Sequence, residues 1–132
     1  MGILTKDQIL AAEDLKKETI YIPEWGGDVI LRSMKAIERD RFEDSMFEGK
    51  GKNRHENFRN LRARFLSEVL IDDNDKRLFP TPKDIEDLGQ KSAGVLDRLF
   101  SIGRKLNGMT DTDVEELTKN SSEGQDEDLP LD

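Results

Sequence analysis

The hydrophobic and polar positions of this chain repeat with two different periods, and the change of period marks the predicted elements. Residues 18–22 and 28–33 are rich in β-branched and aromatic side chains, and in the first run Ile20 and Ile22 alternate with Thr19 and Tyr21, which is the period of a strand. The PEWGG stretch between these runs supplies turn residues. We therefore predict one β-hairpin near the amino terminus, with Ile20 and Ile22 on the face that packs.

Through most of the remaining chain, apolar residues recur every three or four positions, which is the spacing of amphipathic helices. We predict such helices in residues 34–48, 58–70 and 92–108, the last of them central to the core. The first helix places four apolar residues near one side: Ile37, Phe42, Met46 and Phe47. Residues 49–57 contain two glycines and no apolar side chain, so we predict an exposed loop there.

Three stretches, LTKDQI, PTPKDI and MTDTDV, share the pattern of a helix start. Each contains a threonine that can cap the helix and a Gln or Asp three residues later that completes or approximates a capping box. Helices are therefore predicted to begin after Thr5, Thr81 and Thr110, with Pro82 at the favoured first helical position.

The formal net charge of −8 comes entirely from the carboxyl end of the chain. Residues 110–132 carry nine acidic residues and one lysine, which leaves 20 acids and 20 bases in residues 1–109. The negative charge therefore belongs to the carboxyl-terminal tail, and the rest of the chain has no net charge that would repel nucleic acid. From these patterns we predict an α+β fold, mainly α: one helical domain over residues 1–119 with a small hairpin, and a disordered acidic tail over residues 120–132.

Few residues suggest catalysis or cofactor binding. The chain has no cysteine and one histidine, His55, for which a solvated side chain is the ordinary interpretation and a general base or metal ligand is the rarer one. The acidic turn at residues 72–75 lacks the glycine and the ligand spacing of an EF-hand. We therefore predict no enzyme activity, no metal and no cofactor, and we expect neither secretion nor a membrane span.

Several stretches together resemble one known family, the tail assembly chaperones of long-tailed bacteriophages and prophages. The most specific are PEWGG, ERDRFE, the RLF that follows the acidic turn, LGQKSAGVLDRLF and TDTDVEELTKN, and the likeness covers most of residues 3–120. The resemblance implies a small non-enzymatic protein that binds and solubilises the tape measure protein and promotes assembly of the tail tube protein around it. It also implies a place in the host bacterial cytoplasm and absence from the mature virion. Such families often make a longer form by translational frameshifting near the end of the short reading frame.

The surface that binds a partner is expected on the hairpin and on the helix predicted in residues 34–48. Trp25 and Tyr21 leave two alternatives open, because their rings can pack on a helix or can anchor a partner, as Trp and Tyr often do in interfaces. The candidate contact residues are Tyr21, Trp25, Phe42, Met46 and Phe47. Symmetric self-association is a further expectation, since exposed apolar faces and an unpaired hairpin edge favour it.

Two other functions remain open at this point. One is a virion structural protein such as a head-to-tail connector. The other is a small nucleic-acid-binding regulator, because residues 50–64 carry six basic side chains against a single acid, Glu56. The same basic excess could instead meet the acidic tail or an acidic partner protein.

Overall fold

The computed structural model describes residues 2–109, and in that range it contains five α-helices and five short strands. The helices are α1 (Lys6–Ala11), α2 (Ala36–Asp44), α3 (Leu61–Val69), α4 (Pro82–Leu88) and α5 (Ala93–Leu106). The strands are β1 (Lys17–Ile22), β2 (Gly27–Arg32), β3 (Phe47–Glu48), β4 (His55–Glu56) and β5 (Leu70–Ile71). The predicted fold class, α+β and mainly α, is confirmed.

The predicted amino-terminal hairpin is formed by β1 and β2, with Ile22 opposite Gly27 at its closed end. The main-chain nitrogens of Trp25 and Gly26 donate to the carbonyl oxygen of Ile22 at 3.0 and 2.9 Å. Gly26 takes a φ of 72°, which glycine adopts at little cost because it has no Cβ. Ile22 is fully buried and Tyr21 is exposed, so the two faces of β1 differ as the alternation predicts.

A third strand, β5, completes this sheet in the order β1-β2-β5 and leaves β1 at an edge. Residues 30 and 31 of β2 pair antiparallel with residues 71 and 70 of β5. Strand β5 could not be predicted from the sequence, because a strand of two residues at the end of a helix has no period of its own. A docked hairpin is nevertheless expected on physical grounds, since a two-stranded hairpin alone is marginally stable in water.

The core lies between the sheet and helices α3 and α5. The ring of Phe65 on α3 is fully buried and meets Phe42 and Phe100 edge-on, with centroid separations of 5.3 and 5.0 Å. Helix α5 packs against α3 and against both strands of the hairpin, and it ends at Leu106, followed by the capping residue Asn107 and by Gly108 with a φ of 70°. The predicted core helix and its Asn-Gly termination are therefore confirmed.

The predicted helix at residues 34–48 is shorter and rotated relative to the prediction. Helix α2 ends at Asp44, because Phe47–Glu48 pairs with His55–Glu56 as a second small hairpin, β3–β4. The prediction that Ile37 lies on the apolar side is wrong, since its side chain is 69% exposed. Glu38 is buried instead, and its two carboxylate oxygens accept bonds from Arg32 at 2.8 and 2.7 Å.

Two of the three predicted helix starts are confirmed in full. Thr5 and Thr81 each accept a hydrogen bond from the main-chain nitrogen three residues later. The side-chain oxygens of Gln8 and Asp84 in turn accept one from the main-chain nitrogens of Thr5 and Thr81. The third start, at Thr110, lies outside the described residues, as does the acidic tail at 120–132. Among residues 2–109, none of the helices is long and apolar enough to cross a membrane.

Candidate partner-binding surface

The loop of the first hairpin carries Trp25 and is fixed to helix α5. Arg98 donates two hydrogen bonds to the carboxylate of Glu24, at 3.0 and 2.6 Å. The same guanidinium lowers the pKa of Glu24 to about 2. Trp25 is half-buried against the core, so part of its ring packs and part stays exposed. Tyr21 is 61% exposed on the neighbouring edge strand.

Two of the other predicted contact residues lie inside the core. Phe42 on α2 and Met46, which follows that helix, are each only 4% exposed. Phe42 meets Phe65 of α3 edge-on, so both side chains lie mainly in the core and support the surface from beneath. Phe47 lies on the second hairpin and is half-buried, with the guanidinium carbon of Arg54 at 4.7 Å from the ring centroid. The five candidates therefore do not form one continuous patch.

Four of the seven large hydrophobic residues that are exposed among residues 2–109 lie at the amino terminus, where no contact surface was predicted from the sequence. Every residue of α1 is exposed. The four residues are Ile3, Leu4, Ile9 and Leu10, which are 98%, 63%, 55% and 72% exposed. The positions of Leu4 and Ile9 match a hydrophobic staple, which can be recognised in the sequence. That α1 is exposed on all sides depends on the tertiary structure, so the sequence could not show it.

A cleft of about 410 Å³ opens between α2, α3, α4 and the segment before α4. Its apolar lining comes from Phe42, Pro80, Pro82 and Ile85, and its charged lining from Arg41, Arg64, Arg77 and Glu68. Three guanidinium groups thus face one carboxylate, so the cleft has a positive excess.

The arginines of this cleft are held by hydrogen bonds. Arg41 donates to both oxygens of the buried Glu68 carboxylate, at 2.9 and 2.7 Å. Arg64 donates to the carbonyl oxygens of Asn57 and Arg59 at 2.5 and 3.0 Å and also to that of Ser45. Burial lowers the pKa of Arg64, although a guanidinium remains charged at neutral pH. The positive groups therefore have fixed positions.

Several side chains of the basic 50–64 segment are used within the fold. Arg62 pairs with Asp97 of α5, Arg64 binds main-chain oxygens, and Arg54 covers Phe47. His55 is exposed, with Nδ1 at 2.9 Å from the carbonyl oxygen of Asn53, and this contact raises its pKa. Within residues 2–109 there is no group of His, Asp and Glu side chains that could hold a metal ion. This geometry favours a structural role for the segment.

Comparison with known proteins defines the class. A family profile described as "Phage tail assembly chaperone" matches residues 5–120. The chain therefore belongs to the phage tail assembly chaperone family, as its sequence resemblance predicted. Among solved structures, it is similar to the tail assembly chaperone of bacteriophage HK97, with 20% sequence identity and a TM-score of 0.52 over 70% of this chain and 85% of the other. That likeness concerns the fold. No curated protein matches the chain.

Proposed function

We propose that this protein binds the tape measure protein of its phage, keeps it soluble, and promotes assembly of the tail tube protein around it. In this proposal the protein is not an enzyme, uses no cofactor, acts in the host bacterial cytoplasm and leaves before the virion is complete. The observation that carries the proposal is the first hairpin of this family member, which leaves Tyr21 61% exposed and Trp25 half-exposed. Tyrosine and tryptophan side chains are enriched among the residues that dominate binding energy in interfaces.

The first hairpin is the proposed contact surface for the tape measure protein. Tyr21 stands out from the edge strand, and the half-exposed Trp25 lies at the end of the same hairpin. The Glu24–Arg98 pair fixes the loop, so little conformational freedom is lost when a helical segment docks on it. Phe47 is a further candidate contact, while Phe42 and Met46 shape the surface from the core.

A pull-down with tagged tape measure protein tests this surface. Tyr21→Ala and Trp25→Ala are each expected to weaken capture about tenfold, which corresponds to ~1.4 kcal/mol, because aromatic anchors dominate interface energies. Ile37→Ala is the control, since Ile37 is about as exposed as Tyr21, at 69% against 61%, but lies on α2. If both aromatic variants capture the tape measure protein as well as the wild type does, the hairpin is not its contact surface.

Thermal melting of the same variants separates the two interpretations of Trp25. If Trp25 is a contact residue, Trp25→Ala keeps a cooperative unfolding transition and loses capture. If the substitution abolishes cooperative unfolding, Trp25 is a core residue and the contact is refuted for this side chain. In that case Tyr21→Ala remains the test of whether the hairpin binds the partner, because Tyr21 is 61% exposed and contributes little to the core.

A further inference from the structure

The cleft between α2, α3 and α4 continues into a second groove, and the two together form one basic track. The second groove has a volume of about 450 Å³ and shares Arg64, Pro82 and Ile85 with the cleft. It adds two cationic side chains and one carboxylate, those of Arg59, Lys83 and Glu86. Along the whole track, five cationic side chains therefore face two carboxylates, while most of the apolar lining lies in the cleft.

Arg64 lies where the cleft and the second groove meet, and its guanidinium is bonded only to neutral oxygens. It donates to the carbonyl oxygens of Asn57, Arg59 and Ser45, and at 3.0 Å to the Ser45 hydroxyl. None of the carboxylates in residues 2–109 forms an ion pair with it. Because a guanidinium stays protonated, this half-buried charge is stabilised when an anionic group lies next to it. The track therefore favours an acidic ligand.

The carboxyl-terminal segment of the same chain has a matching pattern of charge and hydrophobicity. Residues 120–132 contain five acids and no base. Within them, residues 126–131 read DEDLPL, an acidic run followed directly by two leucines that flank a proline. The acidic run complements the cationic groups of the track, and the leucines complement the apolar lining of the cleft. The segment 126–131 is therefore a ligand of the required chemistry.

The described residues end beside α2, which forms one wall of the cleft. The side-chain oxygen of Asn107 accepts a bond from the Met34 nitrogen at 2.6 Å, and Arg39 of α2 donates to the Asn107 carbonyl oxygen at 3.4 Å. Helix α2 has nine residues, which corresponds to a length of about 14 Å. A connection of 19 residues, as in 110–128, spans about 25 Å when it behaves as a random coil. The segment 126–131 can therefore reach the cleft of its own chain.

Covalent linkage favours this segment over an acidic segment of another protein. A connection of this length gives a tethered ligand an effective concentration on the order of 1 mM. A contact with a dissociation constant of only about 0.1 mM would then be occupied in roughly nine chains out of ten. A separate protein with the same affinity would have to be present at millimolar concentration to compete equally.

We propose that residues 126–131 dock in the basic track of their own chain. Leu129 and Leu131 enter the cleft against Pro80 and Ile85, and the acidic run before them lies beside Arg64. In this arrangement the cleft is closed to segments of other proteins until the tail is displaced. The family profile ends at residue 120, so the docked segment lies outside the part of the chain that the family shares. The contact goes beyond the proposed function and does not depend on it.

Paramagnetic broadening in NMR spectra of the full chain tests the contact. The chain has no cysteine, so Gln125→Cys creates a single attachment site for a nitroxide label next to the docking segment. The amide signals of Ser45, Ser67 and Ile85, which line the cleft, should lose most of their intensity. Signals of the first hairpin, which lies outside the track, should lose much less.

Charge variants of the labelled chain show whether the broadening reflects the proposed contact. The combined change Asp126→Asn, Glu127→Gln and Asp128→Asn removes the acidic run and should restore most of the lost intensity. Pro80→Glu should do the same, because it adds a negative charge to the cleft at an exposed position. Ile37→Glu is the control, since it places the same charge on α2 outside the track and should leave the broadening unchanged.

A mixed sample separates docking within one chain from contact between chains. It contains ¹⁵N-labelled chain without nitroxide and nitroxide-labelled chain without ¹⁵N, and its cleft signals should keep their intensity. The proposal is overturned if these signals broaden in the mixture, if the cleft of the singly labelled chain is not broadened, or if the neutralised tail broadens it equally. Pull-down of the tape measure protein is a separate readout, so failure here and failure of the proposed function are distinguishable.

Discussion

Replacement of Gly103 by alanine is the sharpest test of the packing described for the core. A Cβ added at Gly103 would lie 2.7 Å from Cε2 and 3.3 Å from Cζ of Phe65. Phe65 is fully buried and is held edge-on by Phe42 on one side and Phe100 on the other. Its ring cannot move aside without disturbing both neighbours, so the added methyl group must strain the α3–α5 contact.

The expected magnitude is the difference between two opposing effects. Overpacking a well-filled core costs about 1–3 kcal/mol, while replacing glycine by alanine inside a helix contributes up to about 1 kcal/mol of stability. Gly94, near the start of the same helix, is the matched control, because the nearest atom to its added Cβ is the Ser92 hydroxyl oxygen at 3.7 Å. Gly103→Ala should therefore be less stable than Gly94→Ala by about 1–3 kcal/mol.

Urea unfolding followed by far-UV circular dichroism and by the fluorescence of Trp25, the single tryptophan, measures this difference. The free energy of unfolding should fall with urea concentration at the same slope in both variants, and the urea midpoint should be lower for Gly103→Ala. If Gly103→Ala proves as stable as Gly94→Ala or more stable, the close approach of α5 to Phe65 is wrong.

Three further predictions concern polar contacts. Glu38→Gln should lower the free energy of unfolding by about 3–5 kcal/mol in urea titrations, because it leaves the buried Arg32 charge without its partner. Glu43→Gln is the control, because it removes the half-exposed pair with Arg39 and should cost at most ~1 kcal/mol. The pKa of Glu24 is lowered from 4.5 to about 2, so the stability that this carboxylate contributes is complete above pH 4.5 and is lost as the pH falls towards 2. In Arg98→Gln, the pKa of Glu24 followed by NMR should rise back towards 4.5. Thr81→Ala should cost about 0.5–2 kcal/mol by thermal melting, since the cap of α4 is lost, and a change below a few tenths would contradict that role.

The elements that could be predicted from the sequence are those set by neighbouring residues. The turn chemistry of PEWGG and the caps at Thr5 and Thr81 are local, and all three are present. The capping pattern correctly placed the start of α1, but it could not show that the helix remains unpacked. That property depends on what the rest of the chain leaves uncovered.

The positions that could not be predicted depend on partners far away in sequence. Glu38 is buried because Arg32 reaches it from the sheet, and Ile37 is consequently turned to solvent. Strand β5 forms because β2 offers an edge to residues 70 and 71. The candidate contacts were chosen as large apolar residues, a criterion that does not separate Phe42 in the core from Tyr21 on the surface.

The most direct test of the proposed function is the soluble fraction of the tape measure protein when it is expressed with and without this chain. Centrifugation of the lysate followed by purification on a tag carried by this chain gives both solubility and association in one experiment. We expect the tape measure protein to become soluble and to co-purify when the chain is present, and to do so less with Tyr21→Ala. A tape measure protein that remains in the pellet, beside abundant folded chaperone, would contradict the proposed function.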